Sequence, residues 1–155
     1  MKMSFTDPAR TGDWGLPDPD TDAAFFDDVP TKRFLAWLVD ILLVGLLTLL
    51  TLPFTLFVGL FFLPPLFMVI SFCYRVVTIA NWSATPGMRL MNIEFRTARG
   101  TLFDLPAAFL HTLGFAVSMA MFPLQIISIV LMLTTGRKQG LSDHVMGSAA
   151  INRAS

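Results

Sequence analysis

Three long apolar runs restrict the kinds of fold that this sequence can adopt. They cover residues 34–52, 54–74 and 105–133, and the only charged residue in them is Asp40. A soluble domain interrupts its apolar runs every few residues to place a polar face. Here 54% of the residues are hydrophobic and 14% are charged, whereas about 25% are charged in an ordinary soluble domain. The sequence therefore predicts an all-α polytopic protein whose solvent is the lipid bilayer.

The first apolar run follows a polar and acidic segment. Residues 1–30 are rich in Asp, Pro and Gly, and residues 1–28 hold seven Asp against two Lys or Arg, a local charge of −5. This composition predicts a disordered acidic N-terminal tail at 1–30, ahead of a transmembrane domain at 31–152. A run that begins after such a tail and lacks a small-residue cleavage site is not a signal peptide. We therefore expect the chain to keep this run as its first spanning helix.

Proline positions divide the first two runs into helices. The first helix is predicted at about residues 31–52, and the Pro64-Pro65 pair favours a second helix that begins there and extends to about residue 82. The alternative is a span over residues 54–74 that is kinked at the proline pair. In the preferred register, the residues between the two helices form a turn in the membrane.

The last apolar run is too long for a single span. It extends over 29 residues and is interrupted by Gly114 and Pro123, whereas one crossing needs about 20 residues. We therefore predict two short or re-entrant helices, at about 105–120 and 123–135. With the first two helices, they give a small bundle of about four membrane-embedded helices.

Two polar segments outside the helices alternate as short strands do. They are residues 91–97 and 148–153. We expect them to pair, because an isolated strand leaves its backbone groups without partners. Pairing places the loop after helix 2 and the C-terminus on one side of the membrane. The positive-inside rule makes that side cytoplasmic, because the cations then lie on it: Lys32, Arg33, Arg89, Arg96, Arg99, Arg137 and Lys138. We therefore predict a multi-pass protein of the cell (inner) membrane with its N-terminus in the cytoplasm.

The residue patterns of soluble enzymes and nucleic-acid-binding proteins are missing from the sequence. It contains no metal-spaced His and Cys cluster, no phosphate-binding Gly loop and no nucleophile elbow, and its cations border the apolar runs. We therefore predict that the protein is not an enzyme and binds no metal, cofactor or nucleic acid. Cys73 is the only cysteine, and His111 and His144 are interpreted as polar residues near helix ends.

Asp40 is the residue most in need of a partner. It lies about seven residues inside helix 1, where an ionised carboxylate costs roughly 2.5–3.5 kcal/mol at the bilayer centre. It either fixes helix packing by pairing with a cation or serves as a protonatable or cation-binding group. If helix 2 ends near Trp82, Arg75 lies at the same depth, and we predict a direct or water-bridged contact between Asp40 and Arg75. Arg33, seven residues before Asp40, is on the same helix face.

Arg33, Asp40 and Asp143 together resemble the pattern of the RDD family of membrane proteins, which is named for one arginine and two aspartates. Arg33 and Asp143 are expected to meet at the cytoplasmic face. The resemblance covers about residues 31–152 and includes the family's Thr-Pro-Gly-Lys segment, which precedes a strand and corresponds here to Thr85, Pro86 and Gly87.

Three positions depart from the family pattern. Met88 stands where a lysine is usual, His111 where an arginine is common, and Ser142 where a histidine often precedes the last aspartate. The last departure argues against use of that histidine position in a proton relay.

The resemblance implies an integral membrane protein and leaves two functions open. Some family members are linked to cation/proton antiport, which would make Asp40 the titrating carboxylate and Arg33 and Asp143 a cytoplasmic gate for a monovalent cation or a proton. The alternative is a non-catalytic membrane accessory or assembly protein whose charges are structural. Four short helices offer little material for a transport path, so we expect a homo-oligomer or a membrane partner protein.

Overall fold

The fold was obtained as a computed structural model, which describes residues 16–153. Within that range, six helices and two strands follow one another along the chain. Their bounds are α1 (Val29–Thr51), α2 (Leu63–Trp82), α3 (Pro86–Leu90), β1 (Ile93–Arg96), α4 (Leu105–Ala120), α5 (Phe122–Thr134), α6 (Leu141–Met146) and β2 (Ala149–Asn152).

The helices α1 and α2 are long and apolar enough to cross a membrane. They contain 23 and 20 residues, which corresponds to about 35 and 30 Å at about 1.5 Å per residue. Large apolar side chains remain exposed on them, such as Leu42 at 74%, and lipid rather than water satisfies such a surface. The structure therefore confirms a helical membrane protein.

The register of α2 agrees with the preferred prediction. The helix includes Pro64 and Pro65 in its first turn and continues to Trp82, so the alternative span over residues 54–74 is wrong. Between α1 and α2, two 3-10 turns cover Pro53–Thr55 and Val58–Phe62. Proline at residue 53 cannot continue the hydrogen-bond ladder of α1, which explains why the helix ends there.

The helices α4 and α5 form a sharply bent pair. Their axes differ by 117° at the break, where Met121 adopts an extended conformation. Asp104 begins α4 as an N-cap, because its side chain accepts a hydrogen bond from the Ala107 amide at 2.9 Å. The pair would count as a third span if it were one broken helix. The strand pairing described next indicates instead that both of its ends lie at the same end of the molecule.

The two strands pair as the sequence predicts. β1 and β2 are antiparallel, with Ile93 opposite Asn152 and Arg96 opposite Ala149. Since β1 precedes α4 and β2 follows α5 and α6, the bent pair enters the bundle and returns to the same end. We refer to this end of the molecule as the sheet end. It carries the starts of α1 and α4 and the end of α2.

The segment before α1 is folded where the structure describes it. Leu16, Phe25 and Phe26 are buried in one cluster with Ala149 and Ile151 of β2. Burial of two aromatic rings and a leucine supplies the apolar contact that a disordered segment lacks. The predicted disordered tail at 1–30 is thus corrected from residue 16 onward. Residues 1–15 lie outside the described residues.

Candidate functional site

Asp40 joins α1 to the Thr-Pro-Gly turn that begins α3. Its carboxylate is buried and accepts three hydrogen bonds: from the Thr85 hydroxyl at 2.5 Å, from the Gly87 amide at 2.9 Å and from the Tyr74 hydroxyl at 2.8 Å. A carboxylate offers about four acceptor positions. Most of its acceptor capacity is therefore used by neutral groups of the protein itself.

Each residue of the turn has a physical reason to be there. Thr85 is the N-cap of α3, and its hydroxyl oxygen accepts from the Met88 amide at 3.2 Å while its proton goes to Asp40. Pro86 occupies the first turn, where its missing N–H is not needed. Gly87 packs on the α1 backbone so closely that a Cβ would lie 2.2 Å from the Ala36 carbonyl oxygen. Only glycine fits this contact.

Asp143 is the centre of a second buried cluster. It is fully buried, and its carboxylate lies 2.5 Å from Arg33 Nη1 and 2.9 Å from His111 Nε2. The Gly140 amide and the Ser148 hydroxyl donate to the same carboxylate at 3.0 and 3.1 Å. The predicted approach of Arg33 and Asp143 is confirmed. The cluster links the start of α1, the middle of α4 and the helix α6.

Charge within this cluster is balanced by the cation of α1. Burial alone would raise the pKa of Asp143, but the Arg33 guanidinium and the hydrogen bond from His111 hold that pKa well below its ordinary value. Arg33 also lies over the Phe95 ring at 5.5 Å, and the same ring is 4.3 Å from the His111 ring. The aromatic contacts of β1 thus keep the ion pair in an apolar surrounding.

Arg75 is not the direct partner of Asp40. Within residues 16–153 its guanidinium forms no ion pair or hydrogen bond, and its Nε is buried without a partner. It packs instead over the Phe115 ring at 4.0 Å. The predicted match in depth holds for α2, but the preceding side chain, Tyr74, is the one that reaches Asp40. The direct form of the predicted Asp40–Arg75 contact is therefore wrong, and the water-bridged form stays a prediction.

Asp40, Arg75 and Arg33 nevertheless line one cavity. Its volume is about 520 Å³, and its walls come from α1, α2, α4 and α5, with Met88 of α3 and Phe95 of β1. Apolar side chains such as Trp37 and Phe115 form most of these walls. Within residues 16–153, no group of three His, Cys, Asp or Glu side chains is placed to hold a metal ion.

Two residues of these clusters were not identified from the sequence. Tyr74 is the only tyrosine of the chain and could have been considered because it lies next to Arg75. His111 was interpreted as a polar residue near a helix end, whereas it is buried against Asp143. Its place at a position where the family often has an arginine was the available signal, because both side chains can donate to a carboxylate.

The fold and these clusters define a class, the helical integral membrane proteins. Two apolar spans and a bent pair form the membrane part, and charged residues hold the short elements at the sheet end. The sequence model described as the RDD family matches residues 29–147, and the chain belongs to that family. No curated protein and no solved structure matched the chain.

The contact between Gly87 and α1 gives a first prediction. Gly87→Ala places a Cβ against the Ala36 carbonyl and 2.9 Å from Asp40 Oδ1, so α3 must move away from α1 and its hydrogen bonds to Asp40 lengthen. We expect a loss of thermal stability in detergent, of at least about 2 kcal/mol, because overpacking and a broken buried network add together. Gly45→Ala is the matched control, since a Cβ at that position on α1 meets nothing within 4 Å. Equal melting temperatures for the two variants would contradict the assignment.

The Arg33–Asp143 pair gives a second prediction. Folding lowers the pKa of Asp143 from its ordinary value of 3.8. The ionised Asp143 therefore stabilises the fold at pH values above 3.8, and this stabilisation is lost as the pH falls below 3.8. Thermal stability should thus decline below about pH 4, and this part of the decline should be absent in Asp143→Asn. In a cycle of Arg33→Gln, Asp143→Asn and the double variant, each single change should cost about 3–5 kcal/mol and the double clearly less than their sum. Additive losses would show that the two side chains act independently.

Proposed function

We propose that this RDD protein is a non-catalytic membrane accessory protein in which Arg33, Asp40 and Asp143 hold the fold together. The observation that carries the proposal is the hydrogen bonding of the two carboxylates. Asp40 accepts three hydrogen bonds and Asp143 accepts from four groups, all from the protein itself. A carboxylate so occupied has little capacity left for a transported cation.

Protonation of Asp40 would also be costly to the structure. Its three partners are a threonine hydroxyl, a backbone amide and a tyrosine hydroxyl, and all three act as donors. A neutral carboxylic acid is a poorer acceptor and brings a proton of its own into a site that already holds donors. Transport that protonates Asp40 would therefore loosen the contact between α3 and α1 in every transport cycle.

A cation/proton-coupled transporter is the second candidate. One observation favours it: Asp40 lines the same cavity as Arg33 and Arg75, so a titrating carboxylate would have an aqueous route within the bundle if that cavity filled with water. In this case Asp40 would have to exchange its protein donors for an ion. The transported species would be a monovalent cation or a proton.

Flux measurements separate the two candidates. We expect that wild-type proteoliposomes show no sodium, potassium or proton flux that depends on Asp40. Asp40→Asn should nevertheless lower the melting temperature, because three donors lose a charged acceptor. Asp104→Asn serves as the control, because asparagine replaces aspartate well at an N-cap. Flux that requires Asp40 and survives Asp104→Asn would establish transport and reject the accessory function.

The orientation belongs to the same proposal. We infer a multi-pass protein of the cell membrane with the sheet end in the cytoplasm. In support, the cations of α1, α3, β1 and the segment before α6 lie in elements of that end, whereas residues 52–63 at the opposite end contain no charged residue. Cytoplasmic loops of membrane proteins carry such an excess of Lys and Arg.

Cysteine labelling in intact cells tests the orientation. In a Cys73→Ser background, Arg99→Cys should react with a membrane-impermeant maleimide only after the cells are opened. Arg99 is exposed and lies in a polar turn of the sheet end, so access to it depends on the side of the membrane. Labelling of Arg99→Cys in intact cells would reverse the orientation.

A neighbouring protein in the membrane belongs to the same proposal. An accessory protein acts on something, and we infer a second copy of this chain or another membrane protein as the neighbour, because most of the lateral surface of α1, α2 and α5 is apolar and exposed. Such a surface is equally suited to lipid.

A further inference from the structure

Arg75 is a buried cation of the bundle interior that, among the residues that the structure describes, has an aromatic contact but no hydrogen-bond acceptor. Its side chain is only 9% exposed, yet its guanidinium has no hydrogen-bond acceptor and no carboxylate within 4.0 Å. Arg33 is less buried, with a side chain that is 14% exposed, and is paired with Asp143. A guanidinium carries five N–H donors, and leaving a buried donor unpaired costs about 1–3 kcal/mol, more for a charged group. Stacking on Phe115 offers no acceptor.

The cavity in front of Arg75 has the size and lining of a small-molecule site. Its volume of about 520 Å³ falls within the range of roughly 300–1,000 Å³ that is usual for ligand pockets. The far wall is formed by α5 through Ile129, Met132 and Leu133, and the near wall by Phe34 and Trp37 of α1. These walls are apolar, and the polar residues of the lining are Thr31, Arg33, Asp40, Arg75 and Gln125.

The cavity also has a side that faces the membrane. α1 packs mainly against α2 and α3, and α5 packs against α4 and α6, so the cavity lies between two helices that do not pack closely on each other. Phe34 and Leu133 at its rim are 57% and 61% exposed. An apolar chain can therefore leave the cavity between α1 and α5 and continue among the lipid chains.

From this arrangement we propose that the cavity binds a single-chain anionic amphiphile, whose carboxylate or phosphate head group pairs with Arg75 and whose alkyl chain passes between α1 and α5. A guanidinium recognises both oxyanions through two parallel hydrogen bonds. The position is compatible with a ligand from the leaflet at the sheet end, because Arg75 lies seven residues, or about 10 Å, before the end of α2.

The charges around the cavity limit what the head group can be. Arg75 shares the cavity with Asp40, whose oxygens already accept from Tyr74, Thr85 and Gly87. A cationic head group would be repelled by Arg75 and would find little acceptor capacity left on Asp40. A singly charged oxyanion neutralises Arg75, whereas a doubly charged one would leave a surplus negative charge next to Asp40 in a medium of low dielectric constant.

This inference rests on the proposed accessory function only in that the protein acts by binding within the membrane. It does not require that Asp40 is structural. If the chain transports cations, the accessory function is wrong and the binding proposal is unaffected. If the chain shows no Asp40-dependent flux and binds no amphiphile, the accessory function stands and the binding proposal is wrong.

Fluorescence quenching by a brominated fatty acid tests the proposal on the full chain. Trp37 lines the cavity, so a background of Trp14→Phe and Trp82→Phe leaves it as the only tryptophan. The protein is purified in a neutral detergent and titrated with a bromododecanoate, a bromododecyl phosphate and the uncharged bromododecanol, with inorganic phosphate as competitor. We expect saturable quenching by both anions, tighter for the singly charged carboxylate, and at least tenfold weaker quenching by the alcohol.

Variants assign the binding to Arg75. Arg75→Gln should lower the affinity for bromododecanoate about 10- to 100-fold, which is the usual effect of losing a charged hydrogen-bond pair. Arg75→Lys should lower the affinity less, because lysine keeps the charge but not the two parallel donors of the guanidinium. Arg89→Gln removes the same charge from an exposed position on α3 and should leave the affinity unchanged. If Arg75→Gln does not fold, Ile129→Trp, which fills the cavity, should abolish the equilibrium binding of radiolabelled dodecanoate.

Three results would overturn the proposal. The first is equal affinity for the alcohol and the carboxylate, since head-group recognition would then be absent. The second is unchanged affinity in a folded Arg75→Gln variant or in Ile129→Trp. The third is full displacement of the fatty acid by millimolar inorganic phosphate, which would make the cavity a site for free anions.

Discussion

The hydrogen bonds that Asp40 accepts from the Thr85-Pro86-Gly87 turn determine how the rest of the chain is arranged. They place the short helix α3 directly on α1, which is the approach that Gly87 permits and any Cβ would prevent. Because β1 follows α3 after two residues, its position on the bundle is set as well. β1 in turn supplies the edge on which β2 pairs. A charge at this depth in a membrane protein is costly, and here the cost is offset because each donor of the turn finds its acceptor.

The Asp143 cluster performs the same task at the other end of the sequence. Arg33 near the start of α1 and His111 in α4 both reach Asp143, so one carboxylate ties the first helix and the re-entrant pair to α6. Gly140 and Ser148 complete the donors and fix the turn into β2. The two aspartates therefore hold distant parts of the chain together. Asp40 holds the loop after α2 on α1, and Asp143 connects the C-terminal segment to α1 and α4. The side chains after which the family is named are explained by this geometry.

The sequence was informative where one physical rule dominates and uninformative where several side chains compete. Apolar length and proline placement were sufficient to predict α1, α2 and the bent pair, and the need for strand partners predicted the β1–β2 pairing. Depth along α2 correctly placed the level of Asp40, but two neighbouring residues, Tyr74 and Arg75, lie at that level, and their direction around the helix decides which one makes contact. The composition of residues 16–30 predicted disorder because local patterns cannot show that Phe25 and Phe26 meet β2.

The difference between the paired and unpaired cations separates the parts of the molecule that hold the fold from the part that can bind a ligand. Arg33 has a carboxylate at 2.5 Å, and nothing more is needed to account for it. Arg75 has an aromatic ring, a cavity that Asp40 also lines and, within residues 16–153, no hydrogen-bond acceptor. A buried guanidinium in that state lowers stability unless another group supplies the missing oxygens. If the fold alone had determined residue 75, an uncharged side chain packed on Phe115 would serve it better. The donors of Arg75 are therefore the basis for the ligand proposed above, and the lipid bilayer that surrounds α1 and α5 is the nearest source of one.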